Sequence, residues 1–140
     1  MGLKLLQTLA KPLHLRSRQD VEHYDIRIND FFKQNDGFLI SFRVKSQSSQ
    51  NNKYQCQIWL NEKTFTTNTL VKFNCDCPSF QYQFETILSQ YGALINPPRS
   101  DKLPKKIKSL YVCKHLEGAI RKIIPYKNLE YLIREYKIEI

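Results

Sequence analysis

The sequence predicts an α+β domain in which an antiparallel β-meander comes first and helices follow. Two observations predict it. Apolar and polar residues alternate at period 2 up to about residue 75, whereas after Pro78 apolar residues recur at helical spacing. The switch falls at a pair of cysteines, and a further cysteine stands where a later helix should begin.

In order along the chain, Tyr24 to Ile28 alternates as a short strand, with Asn29-Asp30 reading as a turn. Phe38, Ile40, Phe42 and Val44 line one face of the next strand, while Ser41, Arg43 and Lys45 point the other way. Residues 46–52 are polar and read as a loop. Tyr54, Cys56, Ile58 and Leu60 repeat the pattern, and a last strand spans about 70–75 after a Thr-rich connection. Consecutive strands with short connections make a meander the economical topology. Phe80, Phe84, Ile87, Leu88 and Tyr91 then form one helical stripe that Ser79 could cap and Gly92 could end. Pro97, Pro98 and Pro104 enforce a loop. Leu116, Ile120, Ile123 and Ile124 mark a second helix stopped by Pro125, and Leu129, Leu132, Ile133 and Tyr136 a third.

The 140 residues, 41% hydrophobic and 12% aromatic, suit one domain that buries roughly two-thirds of its unfolded surface, which excludes wholesale disorder. Twenty-two basic residues against 13 acidic ones give a net charge of +9, a balance that favours polyanionic partners or an acidic protein surface. No run approaches the ~20 apolar residues that cross a bilayer, so a soluble protein without a membrane partner is expected. The N-terminus has no sustained apolar segment, and position 6 is Leu rather than the Ser or Thr of a myristoylation signal. Residues 1–20 read as a basic N-terminal arm carrying Lys4, Lys11, Arg16 and Arg18, with a transit peptide, a binding arm and an ordinary surface segment all open. Residues 21–140 read as a single domain, and the expected location is intracellular, cytoplasmic or with the nucleoid or nucleus.

Without a secretory signal, four cysteines point to reduced thiols. Their spacing separates one from the rest. Cys75-x-Cys77 and Cys113-x-His115, 35 residues apart, supply three thiols and one imidazole in two tight pairs. Zinc takes four such donors in a tetrahedron, and structural sites fill every position from the protein. Cys75 and Cys77 stand where Pro78 turns the last strand toward a helix. Cys113 and His115 stand at a helix start, where the positive dipole end favours thiolate. Cys56 falls on an apolar strand face and reads as core packing, and His14 and His23 as surface histidines.

Asn74-Cys75-Asp76-Cys77-Pro78-Ser79-Phe80 and Val112-Cys113-Lys114-His115-Leu116 resemble the two halves of a SWIM-type zinc finger, whose pattern is Cys-x-Cys, a variable spacer, then Cys-x-His. The resemblance covers about residues 70–124. It implies a short β-hairpin leading to a helix, with one zinc ion held by Cys75, Cys77, Cys113 and His115. The spacer departs from the family in its length and in containing a helix and a Pro-rich loop of its own. For function, the family implies DNA binding or protein–protein contact, as in transposases, chromatin remodellers, ubiquitin ligases and phage proteins.

Arg99, Lys102, Lys105, Lys106, Lys108 and Lys114 face only Asp101 in opposite charge and lead into the second cysteine–histidine pair. Such a stretch can neutralise nucleic-acid phosphates or simply stay solvated. Of the aromatic residues, Trp59 and Tyr82 fall off the apolar stripes, which makes them candidates for base stacking. An enzyme is not expected: Cys113 and His115 sit too close along the chain for a nucleophile and base, a closed four-ligand zinc leaves no position for water, and four scattered glycines build no phosphate loop. No small-molecule substrate is indicated. The sequence therefore reads as a zinc-binding module that binds nucleic acid through a basic surface. Its alternative is a structural or adaptor component of a larger assembly, such as a phage virion, acting through protein contacts. The abundance of Lys, Asn, Ile, Phe and Tyr resembles coding from an AT-rich genome, as in phages and low-GC microbes.

Overall fold

The computed structural model describes residues 3–4, 24–34, 36–46, 53–77, 80–81, 85–97, 114–123 and 126–136. Four antiparallel strands, β2 (Tyr24–Gln34), β3 (Gly37–Ser46), β4 (Lys53–Leu60) and β5 (Leu70–Cys75), follow one another as a meander. The two-residue β1 (Leu3–Lys4) pairs antiparallel with the outer edge of β5, so the first residues of the basic N-terminal segment join the sheet. Among the described residues, three short α-helices come after the meander: α1 (Glu85–Gln90), α2 (Lys114–Ile123) and α3 (Leu129–Tyr136). Among the described residues, no helix is long and apolar enough to cross a membrane.

Period-2 alternation decides what the sheet buries. Ile40, Phe42 and Val44 of β3, Cys56, Ile58 and Leu60 of β4, and Val71, Phe73 and Cys75 of β5 all face one side and are buried. Leu116, Ala119, Ile120 and Ile123 of α2 pack on that side at helical spacing and are fully buried. Lys122 ties the helix to β2 through a hydrogen bond from its ammonium to the Ile26 carbonyl. Leu129 and Leu132 of α3 complete the core.

The expected turn at Asn29-Asp30 is instead a β-bulge inside a strand twice as long. The reason is apolar. Skipping one residue between Ile28 and Asp30 returns Phe31 to the inner face opposite Ile40, where it stacks on Phe38 with ring centroids 6.0 Å apart. The reversal comes at Asp36, whose φ of 59° is the left-handed conformation that Asp tolerates in a tight turn. Along the first helical stripe, Phe80 is buried in a helical turn at 80–81, α1 spans Glu85–Gln90, and Tyr91 lies past the helix end, 40% exposed. Gly92, at φ 66°, ends α1: Gly92 N–H donates to the Ser89 carbonyl and Ala93 N–H to that of Leu88, the paired bonds of a Schellman motif. Residues 93–95 then run beside Phe73 in a parallel bridge. Ser79, Phe84, Ile124 and Pro125 lie outside the described residues.

Gly37 shows how closely the hairpin is packed. A Cβ there would lie 2.5 Å from the Leu60 carbonyl oxygen and against the Trp59 ring. Because one of those atoms is backbone, Gly37→Ala should shift β3 against β4 and destabilise by about 1–3 kcal/mol, read as a lower midpoint in urea unfolding. An unchanged midpoint would mean that the strands separate without cost.

Candidate metal centre

Cys75, Cys77 and His115 converge although 40 positions separate the first from the last. Their ligand atoms all lie within 4.8 Å of one another, and the three residues are 0%, 1% and 5% exposed. Each arrives through a local rule. Alternation along β5 points Val71, Phe73 and Cys75 inward, and Cys77 follows two residues later, past the strand end. His115 is the second residue of α2, and the packing of Leu116, Ala119 and Ile120 on the sheet sets where that helix begins.

The backbone beyond β5 is held in place. Asp76 N–H donates to the Gln55 carbonyl at 3.2 Å, and Gln55 N–H donates to the Asp76 carboxylate at 2.9 Å. That pair of bonds makes its neighbour, Cys56 opposite Cys75, a non-hydrogen-bonded pair, the closer kind, with Cα atoms about 4.5 Å apart. Accordingly, the Cys56 thiol donates to Cys75 Sγ at 3.3 Å in the buried core. The bond to Cys75 and, after it, burial push the Cys56 thiol well above its ordinary pKa, so it keeps the proton that it donates. Cys77 Sγ accepts the Phe80 N–H at 3.3 Å. The Cys75 and Cys77 sulfurs thus each accept a hydrogen bond in the core. Beside them the Tyr54 ring packs on the His115 imidazole, centroids 4.5 Å apart and tilted by 36°.

Two sulfurs and an imidazole, buried and close, could hold a metal ion. Zinc–sulfur bonds near ~2.3 Å and zinc–nitrogen bonds near ~2.0 Å put tetrahedral donors about 3.5–3.8 Å apart, within reach of the observed cluster after a small closure. The donor set suits a borderline-soft ion and offers no carboxylate to a hard one. Cys113, the fourth donor expected from the sequence, lies outside the described residues, as do Arg99, Lys102, Lys105, Lys106 and Lys108. Lys114 opens α2. Trp59 does stand off the core, on the opposite sheet face, and Tyr82 lies outside the described residues.

Sequence reasoning assigned Cys56 to packing alone and missed its bond to Cys75. The signal was present: counting back from the turn between β4 and β5 puts the two cysteines opposite each other on one face. Cys56→Ser should keep the metal stoichiometry, because the converging donors remain, while affinity falls by about 10–100-fold, as when a ligand loses its supporting hydrogen bond. Competition against a chromogenic chelator reads this directly. Complete loss of metal would make Cys56 a ligand itself.

No family model, curated protein or solved structure matches this chain.

Proposed function

We propose that the protein is a non-enzymatic, SWIM-type zinc module that binds nucleic acid through a basic surface. The observation that carries the proposal is the convergence of Cys75 and Cys77, both from the Cys-x-Cys half of the pattern, with His115 from the Cys-x-His half, at the junction of β5 and α2. Cys113 supplies the fourth ligand in this reading. Zinc then clamps the sheet to the helix, a structural task for a closed site. The net charge of +9, with Arg99, Lys102, Lys105, Lys106, Lys108 and Lys114 next to the second ligand pair, supports a polyanionic partner.

The test is equilibrium binding of the zinc-loaded protein to labelled duplex DNA, single-stranded DNA and RNA across a salt series. Affinity should fall linearly on a log–log plot, with a slope worth several phosphates. No binding at low salt would overturn the nucleic-acid reading, and salt-tolerant capture by a protein would put the assembly component in its place.

A further inference from the structure

The sheet face opposite the core carries no helix among the described residues, and its side chains are sorted along the strands. At one end, Arg27, Arg43, Lys45 and Lys53 line a concavity of about 220 Å³. Arg27 stands directly opposite Arg43, and Lys45 directly opposite Lys53. Like charges in facing positions repel, and an anion seated among the four would relieve that repulsion. Asp25 takes the backbone register position across from Lys45, and the Asp76 carboxylate is bonded to the Gln55 N–H. Toward the middle of the face runs a band of amides, with Asn29 donating to Gln55, Asn74 to Gln57 and Gln57 to Ser41. At the far end lie Phe32, 46% exposed, and Trp59, whose indole N–H is fixed on the Gln34 carbonyl at 3.0 Å and whose ring carries the Lys72 ammonium 4.9 Å from its centroid.

Resting on the nucleic-acid reading above, we infer that this open sheet face is a binding site for single-stranded nucleic acid, with backbone phosphate seated among Arg27, Arg43, Lys45 and Lys53. Gln55 and Trp59 are four residues apart on one strand, about 14 Å, so one strand of a few nucleotides reaches from the cations to the aromatic end. The chemistry is sorted to match it. Guanidinium and ammonium groups hold phosphate, the amides offer donors and acceptors to base edges, and the aromatic end offers apolar contact to an unstacked base. A duplex presents its bases inside grooves, which a protruding helix or ribbon enters; an open sheet suits bases that are already splayed out.

The experiment compares three zinc-loaded proteins binding oligo-dT, the matching oligo-U and a duplex of equal length: wild type, an R43Q/K53Q variant of the sheet face, and a K102Q/K105Q variant of the Lys-rich loop. Removing two phosphate contacts from a single-strand complex should lower the salt slope by about 1.4, which is about 60-fold in affinity at 50 mM salt when the curves converge near 1 M. The R43Q/K53Q variant should show that loss with zinc content unchanged and thermal stability equal or higher, since it relieves two like-charge pairs. An R43Q/K53Q slope equal to wild type overturns the sheet-face site and leaves nucleic-acid binding standing. Tighter binding of the duplex than of either single strand also overturns it. Wild type that binds none of the three probes overturns the nucleic-acid reading itself. Unequal affinity for oligo-dT and oligo-U tells which strand the face prefers.

Discussion

Cys77→Ala is expected to empty the metal centre and to remove most of the protein's stability in one step. Zinc-loaded wild type should carry about one ion per chain by atomic emission, and the variant close to none. Apparent binding energies of structural zinc are about 10–16 kcal/mol, and a site absent from the unfolded chain returns that energy as folding energy. Losing even ~3 kcal/mol would lower Tm by about 10 °C in a domain of this size. The cause is local. Cys77, 1% exposed, follows two residues after the last of β5, and its sulfur also accepts the Phe80 N–H. Without it, the proposed set of Cys75, Cys113 and His115 leaves the tetrahedron one donor short. His115→Ala should behave in the same way from the helix side. Stripping wild type with a chelator must bring it to the Tm of the variants. Equal Tm for loaded and stripped wild type would show that the cluster is not a folding centre.

Phe42→Ala should cost about 3–5 kcal/mol by another route, with the metal retained. Phe42 is fully buried at the middle of β3, opposite Ile28 on one side and Cys56 on the other, and Cys56 in turn faces Cys75. The row Ile28, Phe42, Cys56, Cys75 crosses all four strands of the meander. Truncating its largest member leaves a cavity that rigid neighbouring strands cannot close. The control is Phe32→Ala on the opposite face, where a side chain 46% exposed should cost about 1 kcal/mol or less. Urea midpoints for the two variants, read beside their zinc content, separate core loss from ligand loss. Equal midpoints would mean that the inner face is not the core.

Much of the architecture was legible in the chain. β3, β4 and β5 follow from alternation that runs unbroken for six residues or more, and α2 from Leu116, Ile120 and Ile123 at helical spacing. Where the pattern broke, the sequence misled. Asn29-Asp30 has turn chemistry, yet Phe31 gains more by rejoining the core across a bulge than the chain gains by turning there. The stripe through Phe80 and Tyr91 runs past the end of α1, because Tyr91 sits beyond its capped end, facing solvent.

The candidate site divides in the same way. Residue type and spacing by themselves singled out Cys75, Cys77, Cys113 and His115, because thiol and imidazole chemistry is written in the residues. Only the tertiary structure brought Cys75 and Cys77 to His115, since that meeting depends on how α2 lies across the sheet. It also set Cys56 against Cys75, and Arg27 and Lys45 against Arg43 and Lys53. Strand register decides which side chains face each other, and register is fixed by apolar burial summed over the whole sheet, a quantity that no local stretch of sequence contains.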